Sequence, residues 1–387
     1  MSGHLRSTCI SIAVICVVAL GASCTRTEAP AAPVAEQELH GTRSSIGEGE
    51  DAISVLHLWG TPYEMGYAHG ALCREEVKAF YDRLLGAAKE LGVPMTVIDI
   101  AWAQMQPHVP ERYMEEMRGL ADGAGVDLKV VHRAHAVPDL SEFNCTFFAA
   151  WGDSTADGHL HQIRALDYEM NAGIQDEPAL LVCEPEGQNA FVNIGWLGFT
   201  GCISGMNAEK IALSEIGDHF SDDVETLAGT PMPFLMRRVL EEAKTLDEAL
   251  AIFDSAPRTS SFLYCVSDAK VPDARGLRTC ADFCEVWAPA DYEELALPEY
   301  VAWSMGCESE WDGRLFETMK PLIGQIDETT GMETVMRGMG TGNLHAVHYD
   351  VTDLKLWVAN ATPGPDPKPA YDQQFVEFDF GAFLEAN

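Results

Sequence analysis

Between Asn144 and Asp167 the chain gathers three side chains that together could cut an amide bond. Cys145 opens an apolar run from Thr146 to Trp151, turn-forming residues follow at Thr155-Ala156-Asp157-Gly158, and a second run ends in Arg164-Ala-Leu-Asp167. Two apolar runs around a glycine-containing turn predict a hairpin. Its return strand would bring Arg164 and Asp167 beside Cys145. A cut between Asn144 and Cys145 would then give one residue both a thiol and a free α-amine. That amine, with an ordinary pKa of about 7.7–8.0, is neutral often enough near physiological pH to take the thiol proton. A neighbouring guanidinium favours both the neutral amine and the thiolate.

Each of these residues also has a structural reading. Cys145 could be a buried core thiol, and Arg164 with Asp167 an ordinary salt bridge at a strand end. Asn207 follows Gly205-Met206, where it either shapes a turn or donates its amide to a developing oxyanion; Asn343 carries the same ambiguity. A thiol can instead use a histidine base. His159, His161, His345 and His348 fall near predicted strand ends, but none sits in a papain-like or caspase-like context. Glu64, Met65 and His69 read as helix-packing positions.

The elements that must hold this set change character at Cys145. Upstream, Tyr63 to Leu91 repeats apolar residues at three-to-four spacing until Pro94, and three shorter helical stretches follow: to about Gln106, over Glu111–Gly123 and over Asp127–Ala136. Downstream, strands are expected at Thr146–Trp151, His159–Leu166, Ala179–Glu184, Ala190–Gly195, Gly201–Met206 and Ile211–Glu215. One long helix, Pro233–Phe253, precedes further strands at Phe262–Ser267, Cys284–Trp287, Leu344–Asp350 and Leu354–Asn360. Strands, helix, then strands point to sheets covered by helices, not to a βαβ repeat. There is no GxGxxG or GxxxxGK[ST] loop.

With 25 basic and 60 acidic residues, a net charge of −35, the chain has no basis for binding nucleic acid or an anionic membrane through a basic patch. At the start, Arg6, the apolar run Ile10–Leu20 and Gly21-Ala22-Ser23-Cys24 resemble a bacterial lipoprotein signal. On that reading residues 1–24 are the signal, Cys24 carries lipid, and the protein sits in the cell envelope, periplasmic or at the cell surface, touching membrane only through the anchor. Residues 25–50 read as a disordered tether, 51–144 as a helical segment and 145–387 as the catalytic part. Of eleven cysteines, eight lie beyond Cys24. The Cys280/Cys284 spacing fits buried thiols or a disulfide better than a metal half-site, since no CxxC or HExxH accompanies it.

Four ordered segments carry a family resemblance: Gly60-Thr-Pro-Tyr-Glu-Met-Gly66 with His69-Gly70; Cys145-Thr-Phe-Phe-Ala-Ala-Trp-Gly152 with Arg164 and Asp167; Gly205-Met-Asn-Ala-Glu-Lys-Ile-Ala-Leu-Ser-Glu215; and Gly342-Asn-Leu-His-Ala-Val-His-Tyr-Asp350. They resemble the autoproteolytic N-terminal-nucleophile acyltransferase/amidohydrolase family of isopenicillin N acyltransferase, and more distantly acid ceramidase and choloylglycine hydrolase. The resemblance implies an α+β fold, a four-layer αββα sandwich preceded by a helical α-chain segment. It also implies self-cleavage before Cys145, α and β chains that stay associated, and cleavage or transfer of the acyl group of a small acyl-amide through a Cys145 thioester. No metal or organic cofactor is required. Two departures stand out. Asn144 occupies a position where the acyltransferase has glycine, and Phe262-Leu263-Tyr264 lacks an asparagine common in relatives, which leaves the oxyanion donors open. The rival readings are a single-chain Cys-His thiol hydrolase and a non-catalytic, ligand-binding surface lipoprotein.

Overall fold

The computed structural model describes residues 38–140, 144–217, 224–289, 300–304 and 314–386. The expected signal, Cys24, the first half of the tether and Cys307 lie outside the described residues. The ordered chain begins earlier than expected. Strand β1 (Gly41–Ile46) already pairs antiparallel with β2 (Ile53–Gly60). The tether therefore does not reach Glu50, and the segment 51–144 is not all helix. The polar β1 sequence GTRSSI lacks an apolar stripe, because it is an edge strand and its inner side is mostly backbone.

Five helices follow: α1 (Pro62–Leu72), α2 (Arg74–Glu90), α3 (Met95–Met105), α4 (Glu111–Ala124) and α5 (Leu128–Ala136). Thr61 and Glu64 form a reciprocal capping box at the start of α1. The single helix expected from Tyr63 to Leu91 breaks at Cys73, whose backbone leaves the helical region. Helices α1 and α4 touch backbone to backbone through glycines one turn apart, Gly66/Gly70 and Gly119/Gly123. A Cβ at Gly66 would stand 2.0 Å from the Glu116 carbonyl oxygen, and one at Gly119 2.1 Å from that of Tyr63.

The remainder forms strands β3 (Asn144–Ala150), β4 (His161–Asp167), β5 (Pro178–Pro185), β6 (Phe191–Trp196), β7 (Gly205–Asn207) and β8 (Ile211–Gly217), helices α6 (Met232–Glu242) and α7 (Leu246–Ser255), then β9 (Phe262–Asp268), β10 (Asp273–Thr279), β11 (Cys284–Trp287) and β12 (Tyr300–Ser304). Helix α8 (Arg314–Met319), a π-helical turn at Thr330–Arg337, β13 (His345–Asp350), β14 (Lys355–Asn360), β15 (Val376–Asp379) and α9 (Phe380–Ala386) complete it. The expected helix 233–253 is two helices, split where Thr245 caps α7.

Nine strands form one sheet in the order β1-β2-β5-β6-β7-β8-β9-β10-β11, and six form the other, β12-β3-β4-β13-β14-β15. All neighbours are antiparallel except β2 and β5. Strands β3 and β4 lie against β8. The large apolar core between the sheets holds Cys145, Phe147 and Ala149, whereas Phe148, Ala150, Ile163 and Ala165 face a second core under α8 and the π-helical turn. Helices α1 and α6 cover the outer side of the nine-stranded sheet. The result is a four-layer αββα sandwich.

A buried ionic network joins the helical segment to the rest. Arg237 on α6 donates to Glu116 on α4 (2.6 and 2.9 Å), to Glu241 (2.9 Å) and to the Thr200 carbonyl (2.6 Å), with all three charged groups at most 2% exposed. Removing the central cation leaves the buried Glu116 without its partner, whereas Glu241 keeps Arg112 and Tyr113, both at 2.8 Å. Arg237→Met is therefore expected to destabilise the fold by about 3–5 kcal/mol, read as a lowered urea midpoint. The seven described cysteines are free, and Cys280 Sγ donates to Asp282 Oδ1 at 2.8 Å. Cys280 is thus neither bonded to Cys284 nor arranged with it as a metal half-site.

Candidate active site

Strands β3 and β4 form the expected hairpin, with Cys145 opposite Leu166, Asn144 opposite Asp167 and Phe147 opposite Arg164. Strand alternation therefore points Cys145 and Arg164 into the space between the sheets, and Thr146 and Asp167 to the other side. The backbone at Asn144–Cys145 runs opposite the Leu166–Asp167 step.

Cys145 and Arg164 are fully buried. The guanidinium donates through Nη1 to the Ala165 carbonyl at 2.9 Å, through Nε to the Ile203 carbonyl at 3.4 Å, and through Nη2 to Glu215 Oε1. Glu215, on β8, is equally buried, and its second oxygen has no hydrogen-bond partner among the described residues. Burial pushes the Cys145 thiol well above its ordinary pKa; Arg164 opposes that shift by charge and by a hydrogen bond, while Glu215 and Asp167 add to it. Burial also raises Glu215, against the pull of Arg164. The Cys145 side chain is therefore held as a neutral thiol.

Two expectations need correction. Arg164 pairs with Glu215 across the sheets, not with Asp167 along its own strand, because the two side chains project from opposite faces of β4. Asp167 instead accepts from the backbone of Asn343 (2.8 Å) and Gly342 (2.9 Å) and from Thr341 Oγ1 (2.7 Å). Since the single Thr341 proton goes to Asp167, Thr146 is the donor in the 2.8 Å Thr146–Thr341 contact. A hydroxyl chain thus runs from the residue after the nucleophile to the carboxylate opposite the residue before it. Asn207 does not join the cluster. Its Nδ2 donates to the Leu240 and Ala243 carbonyls, both at 2.9 Å, and its Oδ1 accepts from Ile211 N at 3.0 Å. The amide closes the end of α6 and the β7–β8 turn, with no proton left for an oxyanion. Asn343 stays beside the site. Its Oδ1 accepts from Tyr168 N at 2.8 Å, which turns Nδ2 away as a remaining donor.

No histidine named from the sequence reaches the thiol. His345 is the register partner of Leu166, as is Cys145 on the other side. Two strand spacings, about 9–10 Å, separate them. His159, His161 and His348 occupy the far end of the hairpin. Glu215 is the residue that sequence reasoning left without a role. Its only sequence signal was a carboxylate in a strand otherwise made of Ile, Ala, Leu and Ser, where a charge needs a buried partner.

A small apolar cavity of about 40 Å³ adjoins the cluster, lined by Phe80, Leu84, Pro138, Trp196 and Phe199, and by Tyr168, Ile203 and Leu344 from the site's own segments. A second cavity shares Leu84, Val137, Tyr168 and Ile174 with it and extends to Leu91, which is 77% exposed.

Asp139 lies five residues before the bond to be cut. It accepts from Thr259 Oγ1 (2.6 Å) and Met232 N (3.2 Å), and burial pushes its carboxyl from 3.8 up to about 6 despite those bonds. Between these two pH values the folded state binds more protons than the unfolded one, so this group's contribution to stability declines as pH rises through the window. In the Cys145→Ala background, where the chain stays whole, the stability difference between wild-type Asp139 and Asp139→Asn should change by roughly 2–3 kcal/mol from pH 4 to pH 7, to the disadvantage of Asp139. Urea unfolding across that pH range checks it.

Residues 156–273 match the family described as acyl-coenzyme A:6-aminopenicillanic acid acyl-transferase, a stretch that contains Arg164, Asp167 and Glu215. The protein dcd1B of Dictyostelium discoideum is 27% identical over 390 residues, covering 88% of this chain and 76% of its own. The N-acylethanolamine-hydrolyzing acid amidase of Mus musculus is 22% identical over 170 residues, 42% of this chain and 46% of its own. Among solved structures, the Caenorhabditis elegans N-acylethanolamine-hydrolyzing acid amidase (NAAA) ortholog aligns over 54% of this chain and 93% of its own, at 16% identity and a TM-score of 0.44.

Proposed function

We propose that this chain, with its acyl-coenzyme A:6-aminopenicillanic acid acyl-transferase family segment and its N-terminal-nucleophile sandwich, is a precursor that cuts itself between Asn144 and Cys145 and then cleaves or transfers acyl groups on amide bonds. The observation that carries this reading is the placement of Cys145 at the second residue of β3, with the Arg164–Glu215 pair on its side-chain face and Asp167 opposite Asn144. In the precursor the Cys145 nitrogen is an amide and cannot accept a proton. The thiol proton goes instead to Glu215, whose second oxygen is open, and the sulfur attacks the Asn144 carbonyl carbon. The adduct breaks its carbon–nitrogen bond as the proton passes from Glu215 to the leaving nitrogen, which becomes the free α-amine of Cys145, and water then hydrolyses the thioester to an Asn144 carboxylate and the free Cys145 thiol. In turnover that amine is the base, Arg164 stabilises the thiolate, and Asn343 donates to the oxyanion.

The acyl group enters the adjoining apolar cavities, which fits a substrate with an aliphatic tail on a small amine. The apolar run Ile10–Leu20 and the following Gly21-Ala22-Ser23-Cys24 support export with a lipid on Cys24, and after the cut the two chains remain together. No helix among the described residues is long and apolar enough to cross a membrane.

The test is hydrolysis of N-acyl amides of graded tail length by protein whose N-terminus has been sequenced. Cleaved protein should begin Cys-Thr-Phe-Phe, and kcat/KM should rise roughly four-fold per added methylene until the cavities are filled. A flat dependence on tail length would remove the cavities from the substrate site. An active, uncut chain would remove the self-cleavage.

A further inference from the structure

The end of the β3–β4 hairpin remote from Cys145 holds a second polar cluster that the proposed chemistry leaves idle. Asp157 and His159 come from the turn before β4, and Asp350 ends β13 as the register partner of His161. His159 Nδ1 lies 2.9 Å from Asp350 Oδ2 and 3.5 Å from Asp157 Oδ2, and one ligand-type atom from each of the three falls within 4.8 Å of the others. Around a tetrahedral ion with bonds of about 2.0–2.1 Å, neighbouring ligand atoms stand about 3.3–3.4 Å apart. The two His159 distances bracket that value.

A hydrogen-bonded ion pair explains only half of this. The Nδ1 proton can go to Asp350, which leaves Asp157 Oδ2 3.5 Å from that nitrogen, while Asp157 Oδ1 accepts from the His159 backbone N–H at 2.9 Å. With His159 protonated the trio still carries a net charge of minus one, whereas a divalent ion in place of that proton makes it neutral. A supporting layer stands behind it. His161 Nε2 is 3.3 Å from both oxygens of Asp157, and His161 Nδ1 is 2.9 Å from His348 Nε2. Both rings are buried. Outer groups of this kind orient a ligating carboxylate.

We propose that Asp157, His159 and Asp350 bind one divalent first-row transition-metal ion of the zinc type, with water in the fourth position and His161, backed by His348, steadying Asp157. The imidazole nitrogen in the donor set favours such an ion over calcium or magnesium. Binding displaces the His159 proton to solvent, and the ion takes the nitrogen lone pair and one oxygen from each carboxylate. Register places His161 opposite Ala150 and Leu166 opposite Cys145, five residues apart along the hairpin, or about 17 Å. The ion is a fastener between the hairpin turn and β13, outside the reaction.

The experiment uses tag-free, full-length protein stripped with chelator and dialysed against zinc chloride above neutral pH. One equivalent of zinc should be retained by elemental analysis, with release of a proton on titration. The cobalt form should show visible d–d bands without a thiolate charge-transfer band. His159→Ala, which alters a partly exposed side chain, and Asp350→Asn should each weaken binding by about 100-fold or more, at least the effect of losing an outer-layer partner. Wild-type protein that retains no stoichiometric zinc overturns the proposal. So does zinc held equally well by His159→Ala, or a thiolate band, which would place the ion on cysteines.

Discussion

Cys145→Ala is expected to accumulate as one uncut chain with amide-cleaving activity reduced by roughly a millionfold, the scale set by loss of a hydrolase nucleophile. The same sulfur performs both reactions, so maturation and turnover should vanish together. Cys145→Ser separates them in degree. A hydroxyl is far less ionised than a thiol, so slow self-cleavage with poorer turnover is expected. Intact mass and N-terminal sequencing are the measurements. If the alanine variant is still cut at the same bond, the scission is made by another protease. If it is cut and also active, the nucleophile lies elsewhere. Burial raises Cys145 and, likewise, Cys73, Cys183, Cys202, Cys265, Cys280 and Cys284 above their ordinary values, so selective alkylation of Cys145 is expected only after the cut.

Arg164→Ala should be nearly as damaging, by two separable routes. Glu215 would be left as an unpaired carboxylate in a fully buried position, a loss of about 3–5 kcal/mol in stability. The thiol would also lose the cation that opposes its raised pKa, and activity should fall about 100-fold or more. The double variant Arg164→Met with Glu215→Leu distinguishes the routes. Replacing a buried pair by apolar groups of similar size is often neutral or better for stability. The double variant should therefore regain a near-normal urea midpoint yet remain uncut and inactive. A double variant that matures and turns over at wild-type rates would make the pair structural and reduce the site to Cys145 with Asp167.

The hairpin was legible because its signal is local. Cys145, the turn at Asp157-Gly158 and Arg164 lie within one antiparallel pair, where alternation alone decides which residues share a face. Alternation also contained the warning that Arg164 and Asp167, three residues apart on a strand, face opposite ways. Placing both beside Cys145, or pairing them as the structural alternative did, ignored it. Glu215 could not be assigned in the same way, since its partner is 51 residues away on the facing sheet, and no periodicity encodes which strands stack. Asn207 was misjudged for a related reason: Leu240 and Ala243, which occupy its amide, end a helix that the sequence showed as continuous through Phe253. Strand β10, with Asp273, Arg275 and Arg278 in a seven-residue run, lacks the alternating apolar signal. Strand β1 was lost to a polar edge.

The parallel pairing of β2 with β5 has a consequence for how the mature molecule persists. Residues upstream of Cys145 supply two strands of the nine-stranded sheet, so a cut at that bond divides one sheet between two polypeptides. Before the cut, folding is a unimolecular event. Afterwards, recovery from denaturation needs two fragments to find each other, and apparent stability becomes dependent on concentration. If β1 and β2 depart, β5 is left as a bare edge inviting strand addition and aggregation. On the proposed cleavage the order of assembly would follow: the chain would fold as a precursor, and scission would leave that fold held by a slow rate of unfolding.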